Sequence, residues 1–255
     1  MTSIESGSDH ELIALRRELA RAKEELRRRD DFLAVVTHEL RNPLTPLAFS
    51  IDLLLTEATQ GRVPTGEVLL RRLKVLQRQI GRLTTDLNRL LDFSRIRSGR
   101  LELRPEDVDL AEVVGEVLQE MQPQFDISRC ELRLNCVGPQ RGRWDSMRLR
   151  QIVWNLVSNA IKFGAGAPIE VTVLDDEQKV RLIVSDKGPG IAEHERERVF
   201  NRFERAGAGE PHVGFGVGLW LVKQIVHALG GDVHLDSEVG RGATFTVILP
   251  RNVHG

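Results

Sequence analysis

The apolar residues of the first hundred positions set the strongest constraint on what this chain can fold into. Leu12, Leu15, Leu19, Ala22, Leu26, Leu33, Val36 and Leu40 recur at steps of three and four, with Arg29 the one polar interruption. Such steps fall on one face of an α-helix, and their repetition makes a heptad seam. Arg, Lys and Glu fill the positions between, so a lone helix would expose a stripe that only a partner helix can cover. Beyond Pro43 the spacing continues through Leu44, Leu47, Ile51 and Leu54, then stops at Thr59-Gln60-Gly61, where Pro64 and Gly66 mark a turn. A second seam runs through Leu69, Leu73, Leu76, Ile80, Leu83, Leu87 and Leu90 and ends near Ser98-Gly99. Two long helices on a short turn make an antiparallel hairpin, and two hairpins make a four-helix bundle. A homodimer is therefore expected.

After Pro105 the heptads give way to mixed elements, which places a domain boundary near residues 99 to 108. The pattern predicts a helix at about 110 to 122, a strand around 131 to 137, and a helix opened by Asp145 as N-cap and running to Phe163. Strands follow at about 169 to 174 and 180 to 185, then a helix at 194 to 204, a Gly-rich stretch, a helix at 217 to 229, and strands near 232 to 237 and 243 to 249. The fold class expected is α+β, a helical hairpin followed by a domain of α/β character.

With 255 residues, 41% of them hydrophobic and 29% charged, the chain has enough material for two compact domains. No run of 18 apolar residues suggests a membrane span, and the first thirty residues are too charged for a signal peptide, so a cytoplasmic location is expected. A net charge of -1 argues against general nucleic-acid binding. Residues 67 to 104 nevertheless hold ten Lys or Arg against four Asp or Glu. A solvated helix face accounts for most of that excess, and an acidic protein partner is the sharper alternative. Cys130 and Cys136 have no His or Cys cluster beside them and are expected to be structural thiols.

With Leu33 and Leu40 at heptad position a and Val36 at d, His38 falls at f, the position farthest from the seam, and its imidazole is expected to face solvent. At cellular pH a substantial fraction of such a ring is neutral, and its free nitrogen is a competent nucleophile. Pro43 and Pro46 cannot donate to the carbonyls of Glu39 and Asn42, so a bend is expected next to His38. Asn42 lies one turn beyond His38 on the same face, with Glu39 offset by about 100°. The phrase Phe32-Leu33-Ala34-Val35-Val36-Thr37-His38-Glu39-Leu40-Arg41-Asn42-Pro43-Leu44 resembles the H-box of sensor histidine kinases from two-component systems. The resemblance implies that His38 accepts phosphate, that Glu39 polarises its far nitrogen, and that Asn42 positions water when the partner is dephosphorylated.

Further along, Asn155, Asn159 and Lys162 sit at helical spacings of four and three, a face able to hold a hydrated Mg2+ through amide oxygens and to set a cation against phosphates. A polar surface stripe has the same composition. Asp186-Lys187-Gly188-Pro189-Gly190-Ile191 follows an apolar strand, and Gly214, Gly216 and Gly218 alternate ahead of a helix whose N-terminus suits a phosphate. Each is weak alone. Together, in this order, they resemble the N-box, the two glycine boxes (Asp186 to Gly190 and Gly214 to Leu219) and, with Phe200 and Phe203, the F-box. Gly240-Arg241-Gly242-Ala243-Thr244-Phe245 is similar to the closing glycine motif of the ATP-binding fold shared by histidine kinases, gyrase and a class of chaperones.

The resemblance covers nearly all of residues 30 to 250. It implies ATP and Mg2+ as cofactors and an α/β-sandwich ATP-binding domain. Asn159 and Asn155 would ligate Mg2+, Lys162 would meet phosphates, and Asp186 would accept from the adenine amino group. Phe163 would lie against the base, and Arg202 or Arg205 would reach the γ-phosphate. Gly188, Gly190, Ile191, Gly214, Gly216, Gly218, Leu219 and Thr244 would line the nucleotide. Val217 departs from the family's usual Leu. The implied domains are an N-terminal coiled-coil signalling helix (1–30), a dimerisation and histidine-phosphotransfer domain (31–104) and a catalytic domain (105–255). Implied partners are a second copy, a response-regulator receiver domain and an upstream sensor protein. Two other functions share some of these features: a conformational ATPase, which gives no reason for His38 with Glu39 and Asn42, and a degenerate kinase that only docks partners.

Overall fold

The computed structural model describes the backbone of residues 3–61, 65–97, 102–136, 138, 140–164, 166–176, 178–202, 204 and 216–252; side chains including those of 3–14, 28–35, 38, 39 and 88–95 lie outside the described set. Contacts divide the chain into two units, Met1–Asp86 and Leu87–Gly255. Among the described residues no helix is long and apolar enough to cross a membrane.

The first unit is built from α1 (Ser3–Thr59) and the larger part of α2 (Gly66–Arg97). α1 is assigned as one helix through both Pro43 and Pro46, and the Thr45 hydroxyl donates to the Arg41 carbonyl at 3.0 Å beside them. The turn is closed by Gln60 N–H to Thr56 O and Gly61 N–H to Ala58 O. Across it, the Arg72 guanidinium meets the Glu57 carboxylate at 2.6 Å, both side chains half-buried. Burial along α1 recurs at Leu40, Pro43, Leu47, Ser50, Leu54 and Glu57, and along α2 at Leu69, Arg72, Leu76, Gln79 and Leu83. The rest of each apolar seam is left at the surface: Leu44 is 49% exposed, Ile51 45%, Leu73 48% and Ile80 55%. Each helix thus carries two adjoining apolar stripes, and the single chain covers one of them.

The second unit is a two-layer arrangement of helices on a sheet. β1 (Glu106–Asp109) pairs antiparallel with β3 (Arg141–Trp144) in a small sheet. Both were too short and too charged to show in the sequence pattern. α3 (Leu110–Ser128) starts on Asp109, whose carboxylate accepts from Ala111 N–H at 3.0 Å. It runs six residues past the expected end, through Pro123, because Met121 and Phe125 on its inner face are fully buried. Burying such side chains is worth about 1.5–3 kcal/mol each, enough to offset the helix bond lost at proline.

β2 (Leu132–Cys136), β4 (Ile169–Asp176), β5 (Lys179–Ser185), β6 (Asp232–Glu238) and β7 (Gly242–Pro250) form the main sheet in the order β2-β4-β5-β7-β6. Only the β2–β4 pair is parallel. Apolar residues alternate along these strands, and the register aligns Val173 with Leu182 and Leu182 with Val247, so that one face is buried. α4 (Ser146–Phe163) and α5 (Gly218–Ala228) pack against each other and against the sheet. α4 begins and ends where the sequence pattern put it, with Asp145 Oδ1 accepting from Arg148 N–H at 3.0 Å. Its neighbour Trp144 is fully buried and donates its indole N–H to the Pro250 carbonyl at 2.7 Å.

The single helix expected at 194 to 204 is absent. The chain forms two 3-10 turns instead, Glu193–Glu195 and Arg198–Phe200. Val199 and Phe200, both buried, are adjacent. Between residues 193 and 202 they are also the only apolar residues, so the segment has no stripe recurring at steps of three and four that could hold a longer helix against the core. Cys130 and Cys136 are free thiols, and burial pushes the Cys136 thiol above its ordinary value.

Candidate nucleotide site and phosphoacceptor helix

The side chains that the sequence brings under suspicion in the second unit collect around α4. Asn155 on its inner face is only 2% exposed. Its amide N–H donates to the Gln151 carbonyl at 2.8 Å, which turns its Oδ1 toward the start of α5. A Cβ at Gly218 would sit 3.2 Å from that oxygen, so the missing side chain lets α5 approach the carboxamide. Asn159 is half-buried one turn further on, and Lys162 is exposed with its ammonium 4.6 Å from the Phe163 ring centre.

At the far end of α4, Phe163 and Gly164 meet the turn after β5. A Cβ at Gly188 would overlap the Phe163 carbonyl, and one at Gly164 would lie 3.8 Å from Asp186 Cβ. Asp186 is 7% exposed, and its Oδ1 accepts from Gly188 N–H at 2.8 Å. Burial holds its carboxyl above the ordinary range, and the amides of Gly188 and Ala243 partly offset that cost. The turn is locked onto the β6–β7 hairpin. Asp186 N–H donates to Ala243 O at 2.9 Å and Gly240 N–H to Pro189 O at 2.7 Å. Ser237 bridges the two, accepting from Ile191 N–H at 2.8 Å and donating to Gly242 O at 2.6 Å. Gly190 and Gly242 adopt positive φ, and a side chain at either would collide with the backbone carbonyl of Glu238 or Asp186. Thr244, on the neighbouring stretch of β7, shares a hydrogen bond with Ser185 at 2.9 Å.

The structure therefore links Asn155, Phe163, Asp186, Gly188, Gly190, Ile191, Gly218 and Thr244 through packed neighbouring segments: α4, the turn after β5, the β6–β7 hairpin and the start of α5. Gly216 has φ +63° just ahead of α5, and the N-cap residue Val217 makes no side-chain capping bond to the first turn of α5, which contains Leu219. Arg202 follows the second 3-10 turn and lies over the Trp220 ring. Arg205, Phe203 and Gly214 lie outside the described residues. In the first unit, His38 and Glu39 belong to α1, their side chains outside the described set, and Asn42 is exposed.

Two families match this chain. The His Kinase A (phospho-acceptor) domain matches residues 28–99, and the histidine kinase-, DNA gyrase B- and HSP90-like ATPase matches residues 144–253. The chain belongs to the sensor histidine kinases. Among curated histidine kinases it is similar to the adaptive-response sensory kinase SasA of Synechococcus sp. (strain JA-3-3Ab), 31% identical over 94% of this chain and 64% of that one. It is also similar to the signal transduction histidine-protein kinase BarA of Escherichia coli (strain K12), 33% identical over 88% of this chain and 25% of that one. It thus spans less than two thirds of the length of either. Of solved structures, Acinetobacter baumannii histidine kinase AdeS superposes with TM-score 0.62 at 25% identity, covering 84% of this chain and 98% of that one. Full-length ShkA in complex with AMPPNP superposes with TM-score 0.62 at 27% identity, covering 87% of this chain and 46% of that one.

Measured against that histidine-kinase pattern, two residues of the site fall outside the motifs read from the sequence. Ser237 is one polar residue among several on β6, and only the hairpin geometry turns it toward Ile191 and Gly242. Trp220 follows the glycine motif directly, and its bulk in the first turn of α5 was the available sign.

Proposed function

We propose that this chain is a Mg-ATP-dependent protein-histidine kinase that phosphorylates its own His38, passes the phosphoryl group to an aspartate of a response regulator, and assists hydrolysis of that phospho-aspartate. The observation that carries the reading is the span of α4. This helix borders the Asp186 turn through Phe163 and the start of α5 through Asn155, eight residues or about 12 Å apart along the axis. That length suits an extended nucleotide with its base at one end and its phosphates at the other.

The donor set fits the ligand. A buried carboxylate at Asp186 can accept from the adenine amino group, and Gly188, Gly190 and Gly242 let its turn pack closely on Phe163 and the β6–β7 hairpin, which fixes that carboxylate in place. The α5 amides, whose N-cap residue Val217 makes no side-chain capping bond, offer donors and a positive helix end to phosphate, with Gly216 and Leu219 beside them and Gly214 of the same glycine motif assigned to the same role. Mg2+ would be held by the amide oxygens of Asn159 and Asn155 and would neutralise phosphate charge. Lys162, Arg202 and Arg205 supply the cations that phosphoryl transfer demands. His38 acts as nucleophile, Glu39 accepts its far N–H, and Asn42 orients water in the reverse hydrolysis.

The exposed halves of the α1 and α2 seams support a homodimer through residues 31–104, with 1–30 as a signalling helix that an upstream sensor would drive and 105–255 as the catalytic domain. The location that fits these partners is the cytoplasm. Incubating the chain with γ-labelled ATP tests the reading. Acid-labile, base-stable label that disappears in His38→Ala is the expected result; acid-stable label, or label that persists in His38→Ala, refutes it.

A further inference from the structure

Two pairs of cations and aromatic rings tie the second 3-10 turn to α5. The Arg202 guanidinium carbon lies 5.1 Å from the centre of the Trp220 ring. Lys223, three residues further along α5, sets its ammonium 5.8 Å from the centre of the Phe200 ring. The arrangement is reciprocal, because each segment contributes one ring and one cation. Phe200 meets Phe245 of β7 edge-on, with ring centroids 6.2 Å apart and planes at 83°, which anchors the turn in the core. Trp220 is 5% exposed and stands in the first turn of α5, whereas Arg202 is exposed. A buried indole thus forms a floor beneath a solvent-facing guanidinium, beside the helix end at which the phosphates are expected.

We propose that Trp220 is a positioning residue that holds Arg202 at the N-terminal end of α5 and so sets the preference for a nucleotide bearing a γ-phosphate. The proposal rests on the ATP reading above and adds a residue to it. Contact through a ring face leaves the geometry of the guanidinium N–H donors compatible with phosphate, since those donors lie in the guanidinium plane. An arginine side chain loses rotamer entropy when it is fixed on a ligand, and a fixed stacking surface removes part of that cost before nucleotide arrives. An ammonium-free aliphatic floor would offer bulk without the ring's negative face. The contact therefore distinguishes ATP from ADP: ADP lacks the group that Arg202 would meet.

The test is to measure dissociation constants for Mg-ATP and Mg-ADP by calorimetry on the full chain. The set comprises the parent, Trp220→Leu, Trp220→Met, Trp220→Phe, Arg202→Ala and the double variant Trp220→Leu with Arg202→Ala. Trp220→Leu is expected to weaken Mg-ATP roughly three- to thirtyfold, the range of one cation–π contact, with Mg-ADP changed by less than about twofold. Trp220→Met, which fills the site with a flexible apolar chain, should lose the ATP preference in the same way if Trp220→Leu fails to fold. Trp220→Phe keeps a ring face and should retain most of the preference. The double variant should bind ATP no more weakly than Arg202→Ala alone. Equal losses for ATP and ADP would make Trp220 a packing residue, and additive losses in the double variant would uncouple it from Arg202; either result overturns the proposal. A parent chain that binds neither nucleotide refutes the ATP reading itself, and the parent measurement alone reveals that case.

Discussion

Replacing Asp186 by asparagine should move stability and nucleotide affinity in opposite directions. In the folded chain the carboxyl is 7% exposed, and burial raises its pKa above the ordinary 3.8, with the Gly188 and Ala243 amides opposing. A raised folded pKa means that the protonated form is the one the fold favours. The associated stability is present below pH 3.8 and is lost as pH rises through the raised folded value. At neutral pH the parent therefore carries a buried charge that Asp186→Asn removes, while the asparagine Oδ1 can still accept from Gly188 N–H. The nucleotide-free variant should melt at a higher temperature than the parent at neutral pH, and the difference should close as pH falls toward 3.8. Mg-ATP affinity should fall, because one acceptor oxygen becomes an amide donor facing the adenine amino group. A hydrogen bond to a charged group is worth about 1.5–3 kcal/mol, which gives a loss of roughly ten- to 150-fold. Calorimetric titration with Mg-ATP and thermal melts from acid to neutral pH read both effects. The reasoning fails if the variant binds Mg-ATP within about threefold of the parent, a shift below 1 kcal/mol, or melts below it at neutral pH.

Three further outcomes follow from particular residues. Gly242→Ala should destabilise the 87–255 unit by about 2–4 kcal/mol, from a positive φ together with collision against the Asp186 carbonyl. Gly240→Ala, equally left-handed but with no atom within 4 Å, should cost only about 1–2 kcal/mol; comparable melting losses in the two would rule out the collision. Ile80→Glu, at a position 55% exposed in one chain, should shift the chain from dimer to monomer in light scattering, since two copies of a buried Ile are worth about 3–6 kcal/mol; a variant dimer as tight as the parent would place the interface elsewhere. Glu39→Ala should impair self-labelling, whereas Asn42→Ala should spare it and slow phospho-aspartate hydrolysis roughly ten- to a hundredfold, the worth of one positioning hydrogen bond; equal losses of both activities in Asn42→Ala would assign that residue to helix shape.

Much of this protein is legible in order along the chain because the signals are local. Steps of three and four residues reveal α1 and α2, alternation reveals β4, β5 and β7, and Asp145 ahead of an apolar run marks the start of α4. Local signals failed where packing overrode them. Phe125 carries α3 past Pro123, and the helix expected at 194 to 204 is replaced by two 3-10 turns because Val199 and Phe200 are the only apolar residues between 193 and 202.

The spacing of Leu44, Leu47, Ile51 and Leu54 announces one seam, and the hairpin divides it into a covered half and an exposed half. A heptad pattern records which residues are apolar, and only the direction of the neighbouring helix decides which of them it covers. The same distinction governs the site. The sequence alone offers Asn155, Asp186 and the glycines as candidates, because their residue types and order carry the chemistry. The bridge made by Ser237 and the stacking of Arg202 on Trp220 join residues far apart in the chain. Such contacts depend on strand register and on the angle of α5, which are properties of the folded whole that no local spacing encodes.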